Sequence, residues 1–171
     1  MVTPTRGLTA CLREDFARFT DGLRRGDGSF RDSAVRNAYG FEFRHDFPTV
    51  DADADADADG HEERAIVDNW ADFVTEVRAK YERRIARFRE AMTSGRPVLF
   101  LRRCWGTTGA EVAEMLGALR ARYPALECDM LVADADIPGA ARIRDDPTWN
   151  SAADWAAAME PFLHAERGTK P

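Results

Sequence analysis

The sequence predicts an α/β fold, a small and mostly parallel sheet with helices packed on it, from three observations. A long amphipathic helix from Asn69 runs directly into the apolar run Pro97 to Leu101. A T-x-x-E pattern at Thr108 and Glu111 then opens a second amphipathic helix. A second apolar run, Cys128 to Ala133, follows that helix, so residues 97–133 read as one β-α-β unit whose crossover is expected to be right-handed.

The elements follow in chain order. Thr3 and Pro4 form a helix-starting pair with proline at the first helical position, and Leu8, Cys11, Leu12, Phe16, Phe19 and Leu23 repeat at helical spacing. This predicts a first helix from Pro4 to Thr20, ended by Gly22 and Gly26, with Cys11 packed as a small hydrophobe. A polar, glycine-rich loop follows. From Tyr39 to Phe47 the period changes to two. Tyr39, Phe41, Phe43, His45 and Phe47 share one side of a predicted strand, and Gly40, Glu42, Arg44 and Asp46 the other.

Asp51, Asp53, Asp55, Asp57 and Asp59 alternate with alanine, a run with no apolar side chain large enough to bury and with like charges that repel. It predicts a disordered acidic insertion at about 49–63. The glycine and glutamate of a calcium loop are not at the required spacing, which argues against calcium.

The central helix carries Trp70, Phe73, Val74, Val77, Tyr81, Ile85, Phe88 and Met92 on one stripe, with Arg78, Lys80, Glu82, Arg83, Arg87, Arg89 and Glu90 on the other faces. Thr93, Ser94 and Gly95 close it. Pro97 to Leu101, apolar at successive positions, predicts a strand covered on both faces. The next helix presents Val112, Met115, Leu116, Leu119 and Tyr123, and Pro124 stops it. Asp134 to Pro147 reads as a polar loop and Trp149 as an apolar cover. Ser151 and Asp154 start a closing helix with Trp155, Met159 and Phe162 on its stripe, and the chain frays from about residue 166.

With 171 residues, the expectation is a single α/β domain with a sizeable core. The net charge of −6 comes almost wholly from the five aspartates of the acidic run, since without them 24 basic residues face 25 acidic ones. No basic face with interleaved aromatics points to nucleic acid, and no apolar run reaches membrane-spanning length. Three cysteines at irregular spacing predict neither a disulfide framework nor a zinc site, and a reduced cytoplasmic setting is the default. His45, His61 and His164 are too scattered to form a metal site, and no cofactor motif is present.

Two places carry possible chemistry. His45, beside aromatic neighbours and just before Pro48, reads either as a histidine satisfied at a strand end or as a general base. Asp46 is its neighbour, but successive residues on a strand point to opposite faces, so an orienting partner is expected elsewhere. Arg102, Arg103, Cys104 and Trp105 lie at the carboxyl end of the predicted strand, just before a helix amino terminus. That position suits an anionic ligand or an activated thiol, and it equally suits two arginines paired with surface carboxylates. The loop lacks the glycine pattern of a phosphate cradle.

Taken in order, "LTACLREDFARF", "YGFEFRHDFP", "KYERRIARF", "PVLFLRR", "CDMLVAD" and the closing "W…DW" segment resemble the bacterial family of unknown function described as papain-like cysteine peptidases. The resemblance runs from residue 3 to 163. Its more specific motifs are His-Asp-Phe after an aromatic strand and Tyr-x-Arg-Arg-Ile-x-Arg-Phe before the apolar strand. It implies thiol chemistry on a peptide or small-molecule substrate, either peptide hydrolysis or acyl transfer as in papain-like acyltransferases of polysaccharide assembly. His45 matches the family histidine. The family's cysteine-bearing segment, which precedes a Pro-Phe-Asp-Trp stretch, has no counterpart here, so the expectation is a chain without the family nucleophile and Cys104 as its alternative. The competing expectation is a non-catalytic module that binds an acidic sugar or nucleotide-linked ligand through Arg102, Arg103 and Trp105, together with His45.

Overall fold

The computed structural model describes residues 4–26, 34–51, 64–103, 107–133, 137 and 152–164. The chain divides into two compact units, residues 1–90 and 91–171. In the first, helix α1 (Thr5–Arg13) precedes three two-residue strands, β1 (Arg24–Arg25), β2 (Val35–Arg36) and β3 (Glu42–Phe43), which pair antiparallel in that order. A hairpin of β4 (Thr49–Asp51) and β5 (Arg64–Ile66) follows, also antiparallel. A 3-10 turn at Trp70–Phe73 then leads into helix α2 (Val74–Thr93).

Helix α1 is shorter than its apolar spacing predicts. Pro4 is the residue before the helix, with extended backbone, and not its first turn. At the other end the chain leaves the helix after Arg13, because Asp15 and Phe16 adopt positive φ of 50° and 63°. Such a conformation costs a non-glycine residue about 1–2 kcal/mol, so tertiary contacts must hold it. Arg89 of α2 donates to both the Asp15 carbonyl and its carboxylate, while the Phe16 ring meets Phe88 edge-on at 5.1 Å. Phe16 and Phe19 therefore enter the core from a turn, and helical spacing there reflects a shared destination.

The core of this unit is aromatic. Phe19, Tyr39, Phe41, Phe43, Phe47 and Tyr81 are all buried, with Trp70 and Phe73 packed against them. Phe19 and Tyr81 both pack on Phe43, at 5.8 and 5.1 Å between centroids. Edge-to-face pairs of this kind contribute roughly 0.5–1.5 kcal/mol each beyond their area. From α2 the predicted stripe supplies Val77 and Tyr81, with Ile85 at the margin. The stop at Gly95 is as predicted, with φ at +72°.

The predicted strand from Tyr39 to Phe47 is pared down to β3. Asn37 explains the break: its side-chain oxygen accepts from the amides of Tyr39 and Phe41, and its side-chain NH₂ donates to the Phe19 carbonyl. The side chain thus fixes a turn at Ala38–Gly40, with Gly40 at φ +78°. Beyond Phe43 the chain bends through residues 44–47. Glu42, expected on the side opposite the aromatic residues, is buried and paired with Arg36 across the strands at 2.7 Å. Residues 49–51, expected within the disordered insertion, form β4 instead, while residues 52–63 lie outside the described residues.

In the second unit, β6 (Val98–Arg103) and β7 (Cys128–Ala133) pair in parallel in continuous register, Val98 with Cys128 through Arg103 with Ala133. Helix α3 (Gly109–Arg122) connects them, and helix α4 (Ala152–His164) follows. The capping box at Thr108 and Glu111 forms as predicted, and Met115, Ala118 and Leu119 are buried. Trp155, Met159 and Phe162 of α4 are half-buried. The mostly parallel sheet is a correction: among the described residues only β6 and β7 pair in parallel, and the other pairings are antiparallel. Short connections at residues 37–41 favour antiparallel neighbours, since a parallel pair needs a crossover of a dozen or more residues. Burial of β6 on both faces is a second correction, because the strand is half-covered and Leu101 is 48% exposed. The Asp134 to Pro147 loop, apart from Ile137, and Trp149 lie outside the described residues.

Candidate functional site

His45 is exposed, and its neighbours are not. On one side Phe43 is fully buried against Phe19 and Tyr81. On the other, Phe47 is buried and meets Trp70 edge-on at 5.8 Å. Between them the Asp46 carboxylate turns inward onto α2, where one oxygen accepts from Lys80 Nζ at 2.6 Å and the other from Tyr81 Oη at 2.9 Å. The bend is thus flanked by two buried rings and tied to α2 through Asp46, with His45 exposed upon it. The strand on which His45 and Asp46 were expected to alternate is a bend here, and the Asp46 carboxylate is engaged by α2.

Tyr81 serves as a buried donor. Burial, reinforced by the Asp46 hydrogen bond and charge, pushes its phenol well above the ordinary tyrosine range, so the proton stays on Oη. The Arg84 guanidinium covers the ring face at 5.1 Å, and Lys80 Nζ lies 5.9 Å from the same ring. Sequence spacing alone does not mark either partner of Asp46. Tyr81 fits an apolar stripe and Lys80 a polar face; the available signal was that a tyrosine on a buried stripe needs an acceptor for its hydroxyl.

The cysteines separate by position. Cys11 is fully buried, and burial, with the charges of Glu14 and Asp15, pushes its thiol up to about 12. Cys128 is buried on β7. Neither suits a thiolate nucleophile. Cys104 and Trp105 lie outside the described residues. Arg102 and Arg103 are half-buried at the carboxyl end of β6, opposite Val132 and Ala133. The helix terminus that follows is already supplied with a carboxylate of its own, since Glu111 accepts from the Thr108 amide at 2.9 Å and its hydroxyl at 3.0 Å.

The raised thiol has a consequence for stability. In the folded chain Cys11 holds its proton to about 12, whereas in the unfolded chain it loses it near its ordinary value of 9.0. The folded state therefore binds more protons in that interval, and its stability falls as pH rises from about 9 toward 12, by up to about 1.4 kcal/mol per pH unit. Urea unfolding at pH 8 and pH 10 is expected to show a lower midpoint at pH 10. In Cys11→Ala that loss should shrink, and an unchanged pH dependence would contradict the assignment.

Among the described residues no three His, Cys, Asp or Glu side chains gather as a metal site, and no helix is long and apolar enough to cross a membrane. The described residues thus form a mixed α/β protein with an exposed histidine on a bend tied to α2. The particular family is shown by its model: the one described as "Putative papain-like cysteine peptidase (DUF1796)" matches residues 32–133, and the chain belongs to that family, whose function is unknown. No curated protein and no solved structure matches the chain.

Proposed function

We propose that the protein works as a cysteine peptidase or thiol acyltransferase in which His45 is the general base. The observation that carries the reading is an exposed histidine on a bend tied to α2 through Asp46, inside the segment matched to the family. In this chemistry the imidazole takes the proton of a cysteine thiol, the thiolate attacks a carbonyl carbon, and the imidazolium returns the proton to the leaving group. The acyl thioester then passes to water in a peptidase or to a hydroxyl in an acyltransferase. The chain's own candidate for the thiol is Cys104, because Cys11 and Cys128 are buried.

Recognition of an acidic sugar or nucleotide-linked ligand at Arg102, Arg103 and Trp105 is the weaker reading, since the adjacent helix terminus is met by Glu111.

The test is an acyl or peptidyl electrophile incubated with the protein made from its own gene, with the modified residue mapped by mass spectrometry. One cysteine, neither Cys11 nor Cys128, is expected to react far faster than a free thiol. His45→Ala is expected to slow that reaction by about 10²–10⁴-fold, the usual range for loss of a general base. Slow, uniform labelling of all cysteines, unchanged in His45→Ala, contradicts the reading.

A further inference from the structure

We propose that Lys80 and Tyr81, acting through Asp46, are positioning residues that hold the bend at 44–47 so that the His45 imidazole meets substrate in one orientation. The inference rests on the reading of His45 as general base and concerns what keeps that base in place.

The geometry is unusual for a surface aspartate. Its side chain is only 10% exposed and each of its oxygens has a separate donor, one cationic and one neutral, from consecutive residues of the same helix. Consecutive helical residues lie about 100° apart, so two of them reach one carboxylate only when it sits at the edge of the helix's buried stripe. Tyr81 is on that stripe, anchored between Phe19 and Phe43, and Lys80 is at its margin. The Asp46 backbone is thereby fixed relative to a 20-residue helix, and the residue before it inherits that placement. Without the carboxylate, the nearest buried side chains to His45 along the chain are Phe43 and Phe47, two residues away on either side. A base displaced by about 1 Å loses on the order of 10²-fold in rate, because reaction requires near-attack geometry.

Asp46 therefore does for the backbone what an orienting carboxylate in a catalytic triad does for the imidazole ring. The distinction is testable. An orienter's loss disturbs the ring's tautomer, whereas loss of this clamp loosens residues 44–47 and leaves substrate binding untouched.

The experiment measures inactivation of the same full-length protein by the electrophilic probe, separating the maximal rate kinact from the half-saturating concentration KI. Lys80→Met and Tyr81→Phe are each expected to lower kinact by about tenfold, and Asp46→Ala by about 10²-fold, with KI unchanged within error. Lys80→Arg, which keeps the cation, is expected to retain most of kinact. In ¹⁵N relaxation, the amides of residues 44–47 should become mobile in Lys80→Met while those of α2 stay rigid. Lys80 is half-exposed and outside the aromatic cluster, so this variant is expected to fold even where Asp46→Ala does not. If His45→Ala is inactive while Lys80→Met and Tyr81→Phe keep wild-type kinact and a rigid bend, the clamp is wrong and the base stands. If His45→Ala reacts at the wild-type rate, base and clamp fall together.

Discussion

Asn37→Ala is expected to destabilise the protein by about 3–5 kcal/mol, since removal of one buried side chain leaves three backbone groups without partners at about 1–3 kcal/mol each. Asn37 is 1% exposed. Its NH₂ meets the Phe19 carbonyl at 2.8 Å, and its oxygen meets the amides of Tyr39 at 3.0 Å and Phe41 at 2.9 Å. The Gly40 amide completes the turn by donating to the Asn37 carbonyl at 3.0 Å. Alanine offers none of the three side-chain bonds, and the groups it leaves belong to or adjoin the buried Phe19, Tyr39 and Phe41. A loss of this size is a large share of a typical domain's 5–15 kcal/mol. Urea unfolding followed by far-UV circular dichroism measures it. A loss below about 1 kcal/mol, the net value of a single ordinary hydrogen bond, would show that the turn at Ala38–Gly40 does not depend on Asn37. Because this turn feeds β3 and the bend behind it, probe labelling through His45 should weaken alongside stability.

Gly7→Ala is the second change expected to have a large effect, and its sign opposes helix propensity. Alanine in a helix is favoured over glycine by up to about 1 kcal/mol, yet a Cβ on Gly7 would fall within the Tyr39 carbonyl oxygen and also crowd Pro4 Cγ at 3.1 Å. The obstacle is backbone, so α1 must shift away from the turn at Tyr39 or the turn must open. The net cost is expected to be about 1–3 kcal/mol, the range for overpacking a filled interior. Gly117→Ala is the matched control: it is also helical, it has nothing within 4 Å of the new methyl, and it is expected to stabilise by about 0.5–1 kcal/mol. Equal effects at the two positions, by thermal or urea unfolding, would contradict the close approach of α1 to Tyr39.

The same two contacts show what could be read in the sequence and what could not. Periodicity revealed the long helix and its stop at Gly95, the β-α-β unit and the capping box at Thr108, because each depends on residues a few positions apart. It overran α1, since Phe16 and Phe19 keep helical spacing while Arg89 and Phe88, more than 70 residues on, hold Asp15 and Phe16 in a left-handed turn. It overran the strand at Phe43 for a similar reason. Alternating aromatics signal burial, and burial here is achieved by a turn and a bend as well as by a strand. The signal for the turn was present as Asn37 followed by Gly40, a pairing suited to side-chain capping of a tight turn. His45 was visible as a candidate by chemistry and by resemblance to the family. Its support was not visible, because the partners of Asp46 sit 34 and 35 residues away, and no local spacing encodes such a contact.

The most direct measurement is chemical rescue of His45→Ala with free imidazole, followed through the rate of labelling by the electrophilic probe. His45 is exposed, so a small base can reach the space left by the deleted ring. If His45 is the general base, the variant is slow, and its rate rises with the concentration of unprotonated imidazole while the wild type does not respond. A variant that reacts as fast as the wild type, or a slow one that imidazole does not restore, would contradict that role.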